Sequence, residues 1–182
     1  MIDFNFLSIA KLEPDTELEP FDCGDVDLNS FLLDDAKNYY EDFLGVTYFA
    51  EYNQKLVAYY CLFNDKIVFD FSGKDDPLRS QWKSFNKKNK IHFKKQRKTY
   101  PAVKIGRLAV NSDFKGNSIG SYILEIVTTM ITSTRDIGCR FITVDAYKDA
   151  FGFYLKNGFE FLSSEDEGDN TRLMYYDLKR IP

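Results

Sequence analysis

The sequence predicts an α/β chain, in the α+β sense of a mixed sheet with helices packed on it, and three observations lead there. Stretches with strand character and helical character follow one another as strand, helix, paired strands, strand–loop–helix–strand, helix, hairpin. At 182 residues, 44% of them hydrophobic, the chain is long enough for one globular domain with a sizeable core. Its 17 Phe and 12 Tyr argue against disorder over most of the length.

A first extended stretch runs from Phe4 to Leu12. Asp27 reads as the cap of a helix whose Leu28, Phe31, Leu32, Tyr39 and Phe43 share one face, and Gly45 stops it. Val46 to Tyr52 and Leu56 to Phe63 read as two strands joined by a tight turn at Asn53-Gln54. Residues 64–100 are the least patterned. Within them Asp76-Pro77 starts a short helix that turns Leu78, Trp82 and Phe85 inward. Tyr100 to Val110 is extended and rich in β-formers. Ser118 to Arg135 is the clearest helix, with Ile119, Ile123, Ile126, Val127 and Met130 at helical spacing and Gly138 beyond its end. A strand from Phe141 to Ala146, a short helix from Lys148 to Asn157 stopped by Gly158, and strands around Phe159 and from Leu173 to Leu178 complete the chain. No repeat, low-complexity segment or Pro/Gly-rich linker divides it. A single domain over 1–182 follows, with a basic insertion around 73–99.

Composition narrows the function classes. The longest apolar run, Leu56 to Phe63, is far too short to cross a bilayer, and Met1 to Ala10 lacks the features of a secretion signal, so no membrane partner is expected. Cys23, Cys61 and Cys139 are scattered, form no CxxC and cannot make a metal cluster with the single His92. No metal is expected, and a reducing cytoplasmic setting is. The net charge of −4 argues against wrapping nucleic acid over the whole surface. Every charged side chain from Leu78 to Lys104 is nonetheless basic, whereas Glu165 to Asp169 reads as an acidic hairpin loop. Lys83, Lys87, Lys88, Lys90, Lys94, Lys95, Arg97 and Lys98, interleaved with Trp82, Phe85 and Phe93, either grip phosphates and stack bases or form a solvated surface.

The most informative unit is the strand at 103–110, the loop at 111–118 and the helix at 119–135. A glycine-bearing loop feeding a helix leaves backbone N–H groups pointing outward, and with the helix dipole these suit a pyrophosphate. Gly116 and Gly120 let the backbone approach closely, and Lys115 adds a positive charge beside the same nest. The loop lacks the GK[ST] ending of a Walker loop and does not match GxGxxG, which disfavours nucleotide hydrolysis and dinucleotide binding.

The run "KIGRLAVNSDFKGNSIGSYIL…CRFITVDAYKDAFGFYLKNGF" resembles the heart of the GNAT acetyltransferases, whose signature is Arg/Gln-x-x-Gly-x-Gly/Ala after a strand ending in a triplet like Leu-Ala-Val. The six positions here are Lys115, Gly116, Asn117, Ser118, Ile119 and Gly120. Lys115 replaces the usual Arg or Gln, and Ser118 the usual middle Gly. The runs "FDCGDVDLNSFL" at 21–32 and "GVTYFAEYNQKLVAYYCL" at 45–62, with "GRLAV" at 106–110, "VDA" at 144–146 and "FY-x-x-x-GF" at 153–159, are similar to a subgroup that includes bacterial tRNA-acetylating toxins.

That resemblance implies a GNAT-like fold with a central twisted mixed sheet flanked by helices, and an N-acetyltransferase that uses acetyl-CoA as acetyl donor. It assigns the pantetheine to the backbone of Leu108, Ala109 and Val110, and the pyrophosphate to Lys115, Gly116, Asn117, Ser118, Ile119, Gly120 and Ser121, where Ser118 offers its N–H and a helix cap. It implies that Tyr154 is the catalytic acid, giving a proton to the departing thiolate. No carboxylate lies in 103–107, where many relatives carry a Glu, and Asp145 acting through water is a weaker alternative. The acceptor it implies is a primary amine: the amino group of charged tRNA, a small molecule or a protein. An antitoxin protein and a homodimer enter as partners by the same resemblance, and a non-catalytic acyl-CoA-binding module is the remaining reading. Arg107 either pairs with a buried acid or touches substrate.

Overall fold

The protein is described by a computed structural model that covers residues 2–73, 75–92, 97–134, 138–164 and 166–180. Strands β1 (Leu7–Lys11), β2 (Val46–Tyr52), β3 (Lys55–Val68), β4 (Thr99–Val110), β5 (Phe141–Tyr147), β6 (Glu160–Phe161) and β7 (Thr171–Asp177) hydrogen-bond in the order β1-β2-β3-β4-β5-β7-β6. Helices α1 (Val26–Ser30), α2 (Ala36–Glu41), α3 (Pro77–Lys88), α4 (Ile119–Thr134) and α5 (Phe151–Lys156) are interspersed among them, with none among the described residues between β2 and β3 or between β6 and β7. The expected mixed sheet with flanking helices forms. Two compact units result, Met1–Asn64 with Lys104–Ile131 and Asp65–Val103 with Thr132–Pro182.

In the first unit β1 pairs antiparallel with β2, and β2 with β3. The β2–β3 turn falls at Asn53 and Gln54, both with positive φ (52° and 63°), the signature of a tight hairpin turn. Asp25, rather than Asp27, caps α1: its carboxylate accepts the Leu28 N–H at 3.1 Å, while Asp27 lies in the first turn. Between α1 and α2 the chain makes a π turn over Phe31–Asp35, where the Ala36 N–H reaches the Phe31 carbonyl. The inward face carries Phe31, Leu32 and Ala36, with Leu28 and Tyr39 packed beside them, so the expected face forms across the π turn. Phe43 leaves that face and is 96% exposed. The helix has already ended at Glu41, and Phe43 itself turns left-handed at φ 58° so that the Leu44 and Gly45 N–H groups return to the Tyr39 carbonyl.

The second unit is built on aromatic packing. Asp76 caps α3 by accepting the Leu78 N–H at 2.9 Å, with Pro77 in the first turn. Phe85, 6% exposed, lies 5.1–5.5 Å from the ring centres of Phe69, Tyr100, Phe141 and Tyr175. Trp82 turns inward too, its indole N–H donating to the Arg97 carbonyl at 2.7 Å and the Tyr100 hydroxyl at 2.9 Å. The Phe85 ring is not free to stack bases, and the Trp82 ring is half-buried against Phe71 with its N–H spent. Burial of a large ring is worth about 2 kcal/mol or more, which gives Phe85 a core role. Phe93, Lys94 and Lys95 of the basic run lie outside the described residues, as does Glu165 of the acidic loop. β5 pairs antiparallel with β7 along its whole length, from Phe141 opposite Asp177 to Tyr147 opposite Thr171, and β6 adds to β7.

Candidate functional site

The strand-to-helix turn begins with a pinned strand end. A Cβ on Gly106 would meet the Phe63 ring at 1.8 Å, so the ring packs directly on the β4 backbone just before Arg107, Leu108, Ala109 and Val110. Arg107 has no acidic partner among the described residues. Its guanidinium instead lies 3.8 Å over the Phe31 ring centre and 5.9 Å from that of Tyr39, a cation–π arrangement. Ala109 is buried in the first unit's core.

Asn111 then stops the strand. Its N–H donates to the Val57 carbonyl (2.8 Å), its side-chain amide donates to the Leu56 carbonyl (3.2 Å), and its side-chain oxygen accepts the Asp113 N–H (3.1 Å). The Ser112 N–H donates to the Asp22 carbonyl at 2.8 Å, and the Lys115 ammonium to the Cys23 carbonyl at 2.7 Å. Segment 22–24 is thereby clasped to the turn. Asp22 keeps its carboxylate well below the usual range because it accepts the Gly24 N–H and the Asn29 amide, with a smaller contribution from the Lys115 charge. Sequence reasoning passed over Asn111 and Asp22. The available signal was a polar residue directly after five strand positions.

Lys115 gives its ammonium to this clasp, and the turn beyond it is made by backbone. Gly116 takes φ 81° and Ser118 φ 62°. A Cβ on Gly116 would point into open space with no atom within 4 Å. The first bond into α4 is the Tyr122 N–H to the Ser118 carbonyl, 3.1 Å. The N–H groups of Ile119, Gly120 and Ser121 precede it and have no acceptor within the helix. An open approach, alternating left-handed residues and unspent amide donors at the positive end of a 16-residue helix make a nest that fits a diphosphate. Ser118 does not cap the helix: its φ is not that of a capping residue, and its hydroxyl has no partner among the described residues.

Tyr154 sits in α5 of the second unit, 6% exposed, with its ring edge-on to Phe153 (5.0 Å) and Phe159 (5.3 Å). Burial pushes its phenol up to about 12, and the hydroxyl has no hydrogen-bond partner among the described residues. It therefore holds a proton through the neutral range with nothing competing for it. Asp145 is exposed on β5. Cys23 and Cys61 are buried and all three cysteines are free. No group of His, Cys, Asp or Glu among the described residues is arranged to hold a metal ion, and no described helix is long and apolar enough to cross a membrane.

Comparison with known proteins adds the family. Residues 90–180 match the model of the acetyltransferase (GNAT) domain. Among solved structures, AtaT complexed with acetyl-methionyl-tRNAfMet is similar over 96% of both chains, with TM-score 0.74 and 24% identity. AtaTR bound with AcCoA is similar over 97% of this chain and 96% of the other, at 0.73 and 23%. A tyrosine-to-phenylalanine mutant of KacT is similar over 96% of both, also at 0.73 and 23%. At these identities the structural likeness is one of fold. No curated protein sequence matches the chain.

Proposed function

The chain belongs to the GNAT acetyltransferase family, and from that premise we propose that it moves the acetyl group of acetyl-CoA to the α-amino group of an aminoacyl-tRNA. The turn from Asn111 to Ser121 carries this reading, because its open, donor-rich backbone suits the diphosphate of the donor. The backbone of Leu108, Ala109 and Val110 would hold the pantetheine arm as a neighbouring strand does, with an N–H there polarising the thioester carbonyl. Gly116, Asn117, Ser118, Ile119, Gly120 and Ser121, together with the Lys115 backbone, would hold the diphosphate.

Transfer needs an uncharged amine, attack on the thioester carbon, cleavage of the C–S bond and a proton for the sulfur. Tyr154 fills the last role. It gives its proton to the departing sulfur and regains one from solvent as the acceptor nitrogen sheds its own. The α-amine supplies the first requirement unaided, since an ordinary α-amino group has a pKa of about 7.7–8.0. Lysine, near 10.4, would need a base that residues 103–107 do not offer. The fold is shared with AtaT complexed with acetyl-methionyl-tRNAfMet and with AtaT bound to the C-terminus of the antitoxin AtaR. An antitoxin partner, a homodimer and action in the cytoplasm belong to the same proposal.

Labelled acetyl-CoA incubated with bulk charged tRNA tests it. Label should enter the aminoacyl group and remain absent when deacylated tRNA is used. The rate should climb with pH to a plateau near the α-amine pKa and show no alkaline decline below about pH 10, because Tyr154 loses its proton only at about 12. Equal labelling of both tRNA samples, or none of either, rejects the acceptor.

A further inference from the structure

A cavity of about 350 Å³ opens within the second unit where the end of α3, the chain entering β5 and the end of β7 meet. Its wall carries Lys88, Lys90, Arg140, Lys179 and Arg180 against a single carboxylate, Asp177. Arg140 is fixed by a two-pronged pair with Asp177 (2.7 and 2.8 Å) and by donation to the Asn89 carbonyl (2.9 Å). Lys88 and Arg180 share the Glu160 carboxylate beside the cavity, at 3.0 and 2.8 Å. Partial burial alone would raise the Glu160 pKa, but hydrogen bonds from Arg180, Lys88 and Tyr175 outweigh it and hold the group at about 2. Five cations thus face two carboxylates, and neither Lys90 nor Lys179 has an acidic partner among the described residues.

The backbone singles out Lys90. It takes φ 49° to close α3, with its N–H on the Lys87 carbonyl (3.3 Å) and the Ile91 N–H on that of Asn86 (2.9 Å). This helix-ending position favours Gly or Asn, and a long side chain there is strained. Cations near a helix C-terminus favour its dipole, which accounts for Lys87 and Lys88. It favours a charge at Lys90 as well, but explains neither why a strained side chain stands where Gly or Asn would fit nor the presence of Lys179, which comes from the chain after β7. We infer that the cavity takes a phosphodiester of RNA, which on the acceptor reading above is the backbone of tRNA. With the Arg140 fork spent on Asp177, the ammonium groups of Lys90 and Lys179, unpaired among the described residues, supply the point charges that suit a phosphate, and the volume exceeds what one free phosphate fills.

Lys90→Gly and Lys179→Gln, alone and together, test this by fluorescence anisotropy with deacylated tRNA across a series of KCl concentrations. The double variant should bind about tenfold more weakly at physiological salt, with a slope of log K against log salt shallower by about 1–2. Acetyl-CoA affinity should not move. Lys90→Gly should also hold or raise the melting temperature while RNA affinity falls, opposite signs that a purely structural lysine cannot give. Unchanged tRNA affinity and slope would overturn the assignment. So would Lys90-dependent saturation by inorganic phosphate with tRNA binding unmoved, which makes the ligand a free phosphate. A wild type that binds tRNA through these lysines yet transfers no acetyl group to charged tRNA refutes the acceptor reading and leaves the cavity's ligand standing.

Discussion

The start of α4 and the end of α3 each turn on a side-chain-bearing residue in the left-handed region, Ser118 at φ 62° and Lys90 at φ 49°. The two helix ends face opposite electrostatic problems. At the start of α4 the unspent groups are N–H donors, so backbone alone supplies the positive field and side-chain identity matters little. That is why Lys115 can turn its ammonium to the Cys23 carbonyl and Ser118 can stand at the start of this helix. At the end of α3 the unspent groups are carbonyls, which repel an anion, so any positive field comes from Lys90, Arg140 and Lys179. Function built from backbone survives substitution as long as φ is kept. Function built from side chains does not.

Tyr154→Phe should break that contrast most visibly if the contrast is wrong. Losing the phenol removes the proposed general acid and should cut turnover about 10²–10⁴-fold at every pH, with acetyl-CoA affinity held, as separate kcat and calorimetric measurements would show. Retained turnover would end the role of Tyr154. The next effect is on stability. Arg140→Gln strips the cation from Asp177, whose side chain is 5% exposed, and leaves a buried carboxylate half-paired. A loss of about 3 kcal/mol in urea unfolding is expected, and a loss below about 0.5 kcal/mol, the scale of an ordinary surface change, would show that the pair is solvated and dispensable.

These outcomes bear on what was legible in the sequence. Hydrophobic spacing placed α4 and the β2–β3 hairpin because both are local patterns, and the strand–loop–helix unit with Gly116 and Gly120 was readable for the same reason. The π turn at Phe31–Asp35 was not, since it leaves the apolar residues almost at helical spacing and Leu28, Phe31, Leu32 and Tyr39 on the inward face all the same. Phe43 was misplaced for another reason, because the helix ends at Glu41 and Phe43 itself turns left-handed. Trp82 and Phe85 were open between stacking bases and filling a core; only the neighbours Phe69, Tyr100, Phe141 and Tyr175, distant in sequence, decide it. The Lys115 bond to Cys23 spans more than ninety residues and has no local trace. The charge surplus around Arg140 is likewise assembled from three separate segments.

Ser118→Gly carries the smallest effect and the sharpest test of the backbone reading. Serine at φ 62° is strained by its Cβ by about 1 kcal/mol, and its hydroxyl recovers nothing through a hydrogen bond to any described residue. Glycine removes the strain but adds freedom to the unfolded chain, at a cost of about 0.5 kcal/mol. The variant should therefore be more stable by about 0.5 kcal/mol, a rise of a few degrees or less in melting temperature for a chain of this length. It should also bind acetyl-CoA at least as tightly, because the amides of Ile119, Gly120 and Ser121 keep their positions and lose a neighbouring side chain. A weaker complex from a more stable protein would mean that the Ser118 hydroxyl itself touches the donor, and the site would then be built from side chains at both helix ends.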